Sequence, residues 1–338
     1  MSTRERRDRS NKVDRELSQL FQESLNKNDI NSSSIALAAV GGFGRGELSP
    51  GSDLDITILH DGKISNLEIF VNDFLYPLWS SGTQVDHSVR TIRELEEVIH
   101  TDLRVILGLL DIRFLIGNHN LIEEAENLAH GLWRKNIRKY LPKIKDSINE
   151  RTQRSGELAF LLEPDLKEAR GGLRDANLLR AISLSGITTV PLEKVSEAEV
   201  RLQNVRDVLH SVTSKPRDQL LLTEQDKVAE VMGYNDADAL CLDVSRSART
   251  IDYVMDSVWH KLEHKKSIFR KNKRVGIASG ISIFENEVVI DTENVTLNIS
   301  ALGVRAAAFA AQKGLPLSQE SADRKSTRLN SSHTDISR

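Results

Sequence analysis

The chain has 338 residues but only one cysteine, Cys241, and only 5% of its residues are aromatic. A single cysteine excludes an internal disulfide framework and a cysteine metal cluster, and a reducing cytoplasm is the expected compartment. Long apolar runs are missing, and the charged segment Ser2–Arg9 has no hydrophobic core after it, so we expect neither a membrane span nor a signal peptide. A net charge of −3 gives no electrostatic reason to bind nucleic acid. These absences favour a soluble protein that is long enough for two domains.

The most informative segment runs from Gly41 to Asp55 and reads GGFGRGELSPGSDLD. It joins a glycine-rich turn to two aspartates that are two residues apart. Apolar runs lie on both sides, at residues 35–40 and 56–59. The pattern therefore predicts a strand, a turn, a short helix and a second strand.

Asp53 and Asp55 open the second of these predicted strands. Residues i and i+2 of a strand point to the same face, so the two carboxylates can hold one divalent ion, and Mg²⁺ suits such oxygen ligands. Gly41 and Gly42 allow the backbone to bend tightly beside a ligand, and the amides of the next helix supply donors for a triphosphate. The alternative is an ordinary turn with solvated acids, which the double glycine between two apolar strands disfavours.

The segment from Gly41 to Asp55 resembles the signature Gly-Gly-x-Gly-Arg-Gly-Glu-Leu-x-Pro-x-Ser-Asp-x-Asp of the bacterial PII uridylyltransferases. That family is part of the nucleotidyltransferase superfamily that includes DNA polymerase β. Residues 85–91 and 163–175 are also similar to the family, in the same order, so the resemblance extends to about Ala322. It implies an α+β fold with a small mixed-sheet nucleotidyltransferase domain, residues 1–118, followed by a mostly helical domain, residues 119–322.

Hydrophobic spacing predicts the remaining elements. They are an amphipathic first helix over residues 13–25, a helix over 67–78, a third strand over 84–90, an almost wholly helical pattern beyond residue 101, a short β-hairpin over 275–290, and an alanine-rich helix over 301–312.

Asp86 lies on the predicted third strand and is the candidate third carboxylate. In the superfamily, the third acid on the adjacent strand binds a second metal and helps to deprotonate the attacking hydroxyl. Many relatives have glycine where this chain has Asp86. The alternative is an acid at the end of a strand that pairs with Arg90 or Arg93.

A second polar segment runs from Lys167 to Asp175. Its Gly171–Gly172 pair predicts a sharp turn between helices, which would bring Lys167, Arg170 and Arg174 together at the mouth of one cleft. On the functional interpretation, Lys167 or Arg174 neutralises triphosphate charge and Asp175 orients the arginine. The alternative is a purely structural, salt-bridged helix junction.

The resemblance implies an enzyme that transfers UMP from UTP to a tyrosine of the PII nitrogen-regulatory protein and releases pyrophosphate. It also implies that Arg45 either adds positive charge at the phosphates or fixes the turn through Glu47. The expected site comprises the catalytic and metal-binding residues Asp53, Asp55 and Asp86, with Mg²⁺, and the nucleotide-binding residues Gly41, Gly42, Arg45, Ser52, Lys167 and Arg174.

Two other classes of function stay open at this point. One is a related nucleotidyltransferase, such as an adenylyltransferase of glutamine synthetase or a small-molecule transferase. The other is a non-catalytic nucleotide-sensing module, which has no need of both Asp53 and Asp55. Composition and spacing identify neither PII nor uracil.

The end of the chain differs from the rest. Residues 323–333 resemble the translation of a common sequencing adapter, so we expect residues 323–338 to be an artefactual tail and the natural protein to continue beyond Ala322. In the family, a metal-dependent hydrolase domain and glutamine-sensing domains lie further on. The resemblance therefore implies that this fragment lacks uridylyl removal and a response to glutamine.

Overall fold

The structure, a computed structural model, describes residues 3–264, 274–284, 287–291, 299–318 and 321. The contacts between Cα atoms divide the chain into two compact units, one up to Val258 and the other from Trp259. The predicted tail, residues 323–338, lies outside the described residues. Within the described residues, no helix is both long and apolar enough to cross a membrane.

The first unit contains a four-stranded mixed sheet with the order β3-β2-β1-β4. Its strands are β1 (Ile35–Ala39), β2 (Leu54–His60), β3 (Val85–Arg90) and β4 (Arg113–Gly117). β2 and β3 are parallel, whereas β1 is antiparallel to both β2 and β4. All five residues of β1 are buried, which fits the apolar run that predicted this strand.

Two helices cover one part of this sheet, α1 (Thr3–Lys27) and α3 (Leu67–Ser80). Phe21 of α1 meets Phe70 and Phe74 of α3 edge to face, with ring centroids 5.1 and 5.3 Å apart. All three rings are fully buried. The predicted first helix and the predicted helix over residues 67–78 are therefore confirmed.

The prediction that the chain is almost wholly helical beyond residue 101 is wrong at β4. α4 (Ile92–Ile99) and α5 (Leu103–Leu109) lead into this strand. β4 has only five residues and directly follows a leucine-rich helical pattern, so hydrophobic spacing does not distinguish this strand from the helix before it. It is a strand because β1 pairs with β2 along one edge and with β4 along the other.

The rest of the first unit is helical, as predicted. The helices are α6 (His119–Ser155), α7 (Leu173–Leu184), α8 (Leu192–Thr213), α9 (Leu222–Met232) and α10 (Ala237–His264), whose last residues pass the division at Val258. α6 is joined to α7 by the indole of Trp133, which donates a hydrogen bond to the carbonyl of Ala181 at 2.7 Å. The predicted division into two domains at residue 118 stays a prediction.

In the residues of the second unit that the structure describes, three antiparallel strands are followed by a helix. They are β5 (Val275–Ala278), β6 (Ile281–Phe284), β7 (Glu287–Ile290) and α11 (Ile299–Lys313). The sheet has the order β5-β6-β7, so the segment predicted as a hairpin forms one strand more than a hairpin. Ile281 and Val288 pack with Leu302 and Ala306 in a separate small core.

A short helix, α2 (Gly41–Gly44), follows β1 and packs closely on the backbone after α5. A Cβ atom at Gly44 would lie 1.9 Å from the carbonyl oxygen of Asp111. Backbone cannot yield as a flexible side chain would, so this position has room only for glycine.

We therefore predict that Gly44→Ala lowers the free energy of unfolding by about 2 kcal/mol or more, as overpacking does in tight cores. Gly108→Ala is the matched control, because Gly108 lies in α5 and a Cβ there meets no atom within 4 Å. Urea unfolding of both variants measures the difference, and equal stabilities for the two variants would contradict the close approach.

Candidate active site

A cleft of about 1050 Å³ lies between the glycine-rich segment and the helices of the first unit. One wall is formed by α2, the loop after it, β2 and β3, and the other by α6, α7, α8 and the segment before α7. Every residue that the sequence assigned to the site lines this cleft: Gly41, Gly42, Arg45, Ser52, Asp53, Asp55, Asp86, Lys167 and Arg174.

The three carboxylates come together because of the register of two parallel strands. Asp55 of β2 is the direct partner of Asp86 of β3, and Asp53 lies just before β2. Asp53 and Asp86 are exposed, whereas Asp55 is partly buried. The acids that were predicted from two separate segments therefore share one end of the sheet.

The electrostatic environment of Asp55 reflects this crowding. Burial and the negative charges of Asp86 and Asp53 raise the pKa of Asp55 to about 6, against the opposing positive charges of Lys167 and Arg174. Lys167 and Arg174 thus lie close enough to act on Asp55 across the cleft. Burial and neighbouring like charge both disfavour an ionised carboxylate.

The donor set fits a divalent cation. Among the described residues, no three histidine, cysteine or acidic side chains already stand in a metal-binding arrangement. The like charges that raise the pKa of Asp55 are nevertheless those that a bound cation relieves, and carboxylate oxygens are the ligands that Mg²⁺ takes. Asp53, Asp55 and Asp86 are the residues that could supply them.

The glycine turn brings backbone directly against this acidic group. Gly41 has a φ of +58°, a conformation that favours glycine, and a Cβ there would stand 3.4 Å from Oδ2 of Asp55. The guanidinium of Arg113 on β4 holds the end of α2, because it donates to the carbonyls of Gly44 at 2.9 Å and Phe43 at 3.1 Å. The same guanidinium binds Asp14 of α1 at 2.7 Å.

Arg45 has the contacts of a residue that fixes the turn. Its Nε donates to Glu47 at 2.7 Å and its Nη1 to Asp111 at 2.6 Å. The sequence left open whether Arg45 adds charge at the phosphates or fixes the turn through Glu47, and these contacts correspond to fixing the turn. A contact between Arg45 and a nucleotide stays a prediction.

The predicted partnership of Arg174 with Asp175 is wrong. Asp175 is fully buried and accepts hydrogen bonds from Arg151 at 2.5 Å and from the backbone N–H of Gly171 at 2.8 Å. The exposed Arg174 pairs with Glu168 at 2.5 Å instead. Successive residues of a helix do not face each other, so Asp175 points into the core while Arg174 reaches the cleft.

Two further predictions about charged partners turn out differently. Arg170 is not among the residues that line the cleft, because it pairs with Asp252 at 2.6 Å and Asp256 at 2.7 Å on α10. Arg93, one suggested partner for Asp86, pairs with Glu97 at 3.5 Å.

Sequence reasoning missed three polar residues beside the site, of which Arg206 and Asp218 line the cleft and His210 lies behind them as a buried residue. Arg206 and His210 of α8 contact the loop that carries Ser52, and Asp218 binds both of these side chains. The only signal was the spacing of Arg206 and His210, four residues apart and so on one face of a helix. That spacing does not indicate what the face contacts.

A mixed sheet that brings three carboxylates under a glycine turn is the arrangement of a nucleotidyltransferase. In agreement, residues 18–129 match the model of the nucleotidyltransferase domain. Residues 142–259 match the model described as GlnD PII-uridylyltransferase. The chain belongs to this PII-uridylyltransferase family.

Similar curated proteins are named bifunctional uridylyltransferase/uridylyl-removing enzyme. The one from Streptomyces coelicolor is 44% identical over 308 residues, which are 86% of this chain and 37% of that protein. The one from Mycobacterium tuberculosis is 34% identical over 300 residues, 84% of this chain and 37% of that protein. The one from Haemophilus influenzae is 35% identical over 243 residues, which are 67% of this chain and 28% of that protein. The chain thus spans well under half the length of these relatives.

The raised pKa of Asp55 predicts that this acid destabilises the metal-free protein. Because the pKa is higher in the folded than in the unfolded chain, the contribution of Asp55 to stability is greatest below pH 4 and is lost as the pH rises through about 6. Asp55→Asn should therefore raise the free energy of unfolding at pH 7.5 by on the order of 2 kcal/mol, and by roughly a third of that at pH 4.5.

Chemical unfolding in EDTA at the two pH values measures this difference. Asp61→Asn is the control for the loss of one negative charge, since Asp61 follows β2 at its other end and is not among the residues lining the cleft. A stability gain for Asp55→Asn that is equal at both pH values would contradict the prediction.

Proposed function

We propose that the chain transfers UMP from UTP to a tyrosine hydroxyl of a PII signalling protein, with release of pyrophosphate. The observation that carries this proposal is the meeting of Asp53, Asp55 and Asp86 with Lys167 and Arg174 across one cleft. The three carboxylates favour a bound cation, and the two basic side chains favour a bound polyanion. Together they suit a metal-bound nucleoside triphosphate.

The chain's own residues would bind the triphosphate from two sides. The backbone of Gly41 and Gly42 and the hydroxyl of Ser52 would contact phosphate oxygens from the β2 side. Lys167 and Arg174 would neutralise phosphate charge from the helical side. Arg174 would exchange its present partner Glu168 for a phosphate.

Asp53 and Asp55 would hold a Mg²⁺ ion, and Asp86 would share a second. Cations bound there would neutralise charge on the phosphates and would lower the pKa of the attacking hydroxyl. In the transfer, the tyrosine oxygen forms a bond to the α-phosphorus while the bond from that phosphorus to the bridging oxygen breaks. The pyrophosphate takes that oxygen with it, and the exposed carboxylate of Asp86 accepts the hydroxyl proton.

The names of the relatives support uridylyl transfer over the related chemistries. Residues 142–259 include Lys167 and Arg174, and they match the family model described as GlnD PII-uridylyltransferase. Intact Asp53 and Asp55 favour catalysis over nucleotide sensing, since binding alone does not require the acidic crowding that raises the pKa of Asp55.

Mass spectrometry of PII after incubation with the chain, UTP and Mg²⁺ tests the proposal. We expect the mass of one UMP on PII, and a rate at least about 100-fold lower for Asp53→Asn and for Asp55→Asn, because each removes a charge that acts directly on the reacting phosphates.

The control variant is again Asp61→Asn, which should label PII at the wild-type rate. ATP in place of UTP separates this activity from adenylyl transfer. Labelling by Asp53→Asn and Asp55→Asn at the wild-type rate, or no labelling by the folded wild-type chain, would contradict the proposal.

A further inference from the structure

The loop from Ser49 to Asp53, here called the 49–53 loop, has little structure of its own. It connects the turn after α2 to β2, and its one backbone hydrogen bond within the loop runs from the N–H of Ser52 to the carbonyl of Ser49 at 3.1 Å. It nevertheless carries Ser52 and Asp53, which line the cleft. Its position must come largely from other segments.

α8 supplies most of those contacts. The N–H of Gly51 donates to Nδ1 of His210 at 3.2 Å. Nη1 of Arg206 donates to the hydroxyl of Ser49 at 3.0 Å and to that of Ser52 at 3.2 Å. The fit is close, because a Cβ at Gly51 would lie 3.0 Å from Nδ1 of His210.

These contacts determine the tautomer of His210. Because Nδ1 accepts a hydrogen bond from Gly51, the ring proton of the neutral form is on Nε2. Nε2 then donates to Oδ1 of Asp218 at 3.0 Å. The imidazole is buried, so its orientation is fixed by these two partners.

Asp218 joins the two loop-binding residues to Lys167, which belongs to the same wall of the cleft. Its Oδ1 also accepts from Nε of Arg206 at 2.5 Å, and its Oδ2 lies 3.7 Å from Nζ of Lys167. Burial alone would raise the pKa of Asp218, but the hydrogen bond from His210 and the charges of Arg206 and Lys167 hold this pKa well below its usual range. The carboxylate therefore stays ionised at neutral pH.

We propose that Asp218 is a positioning residue that acts through Arg206 and His210 to fix the 49–53 loop, and that directs Lys167 into the same cleft. Its importance for nucleotide binding rests on the proposed function, whereas its effect on the loop does not. Asp218 would touch no reacting atom, because its two oxygens are taken up by Arg206, His210 and Lys167.

Two substitutions separate this role from that of an ordinary buried ion pair. Asp218→Asn keeps the shape but removes the charge that orders Arg206, His210 and Lys167. Arg206→Lys keeps a positive charge beside Asp218, but a single ammonium cannot replace both Nε at Asp218 and Nη1 at the two serines. Asp243→Asn is the matched control, since Asp243 also accepts a hydrogen bond, from Tyr234 at 2.7 Å, but is not among the residues lining the cleft.

Hydrogen exchange with mass spectrometry, applied to the full 338-residue chain, measures the loop directly. We expect the hydrogen-bonded amides of the 49–53 loop, those of Gly51 and Ser52, to exchange at least about tenfold faster in Asp218→Asn and Arg206→Lys, because charge-assisted hydrogen bonds that hold the loop are lost. Exchange in β1 should change much less, and Asp243→Asn should match the wild type in both segments. UTP with Mg²⁺ should bind about tenfold more weakly to the two test variants than to the control.

The proposal is overturned if the 49–53 loop exchanges at the wild-type rate in both test variants, or if its exchange rises no more than that of β1, as in a merely destabilised protein. A wild-type chain that fails to label PII while its loop responds as expected would count against the proposed function alone. A wild-type chain that labels PII while the loop does not respond would remove the role of Asp218 alone.

Discussion

The crowding of three carboxylates, those of Asp53, Asp55 and Asp86, at one end of the sheet governs the electrostatics of the site. The parallel register of β2 and β3 forces Asp55 beside Asp86, and partial burial makes the charge on Asp55 harder to sustain. The fold tolerates this arrangement because Lys167 and Arg174 face it from the helical side. A site that holds like charges together in the metal-free state is one in which a bound cation can supply the missing positive charge.

The motif is kept in place by residues far away in the sequence. Arg113 of β4 holds α2, Asp111 holds Arg45, and Arg206 and His210 of α8 hold the loop before β2. The two family models that match consecutive parts of the chain therefore describe two walls of one cleft. The helical region thus supplies residues that line the cleft and residues that hold the loop before β2 in place.

Local patterns were enough for those features whose causes are local. The apolar runs and the glycine turn led to β1, α2 and β2, and the alternation near residue 86 led to β3. β4 escaped because a five-residue strand after a leucine-rich helix becomes a strand only through its pairing with β1. Asp175 was assigned the wrong arginine because sequence proximity does not show which face of a helix is buried. Contacts such as that of His210 with Gly51, 159 residues apart, follow from tertiary packing alone.

Locating the cation tests most directly whether Asp53 and Asp55 hold it. Crystals of the chain grown with Mn²⁺ and a non-hydrolysable UTP analogue would show it by anomalous scattering. We expect a peak within coordination distance of the carboxylates of both Asp53 and Asp55, with the triphosphate between that peak and Lys167. A nucleotide bound elsewhere, or a metal peak with no contact to Asp53 and Asp55, would contradict this expectation.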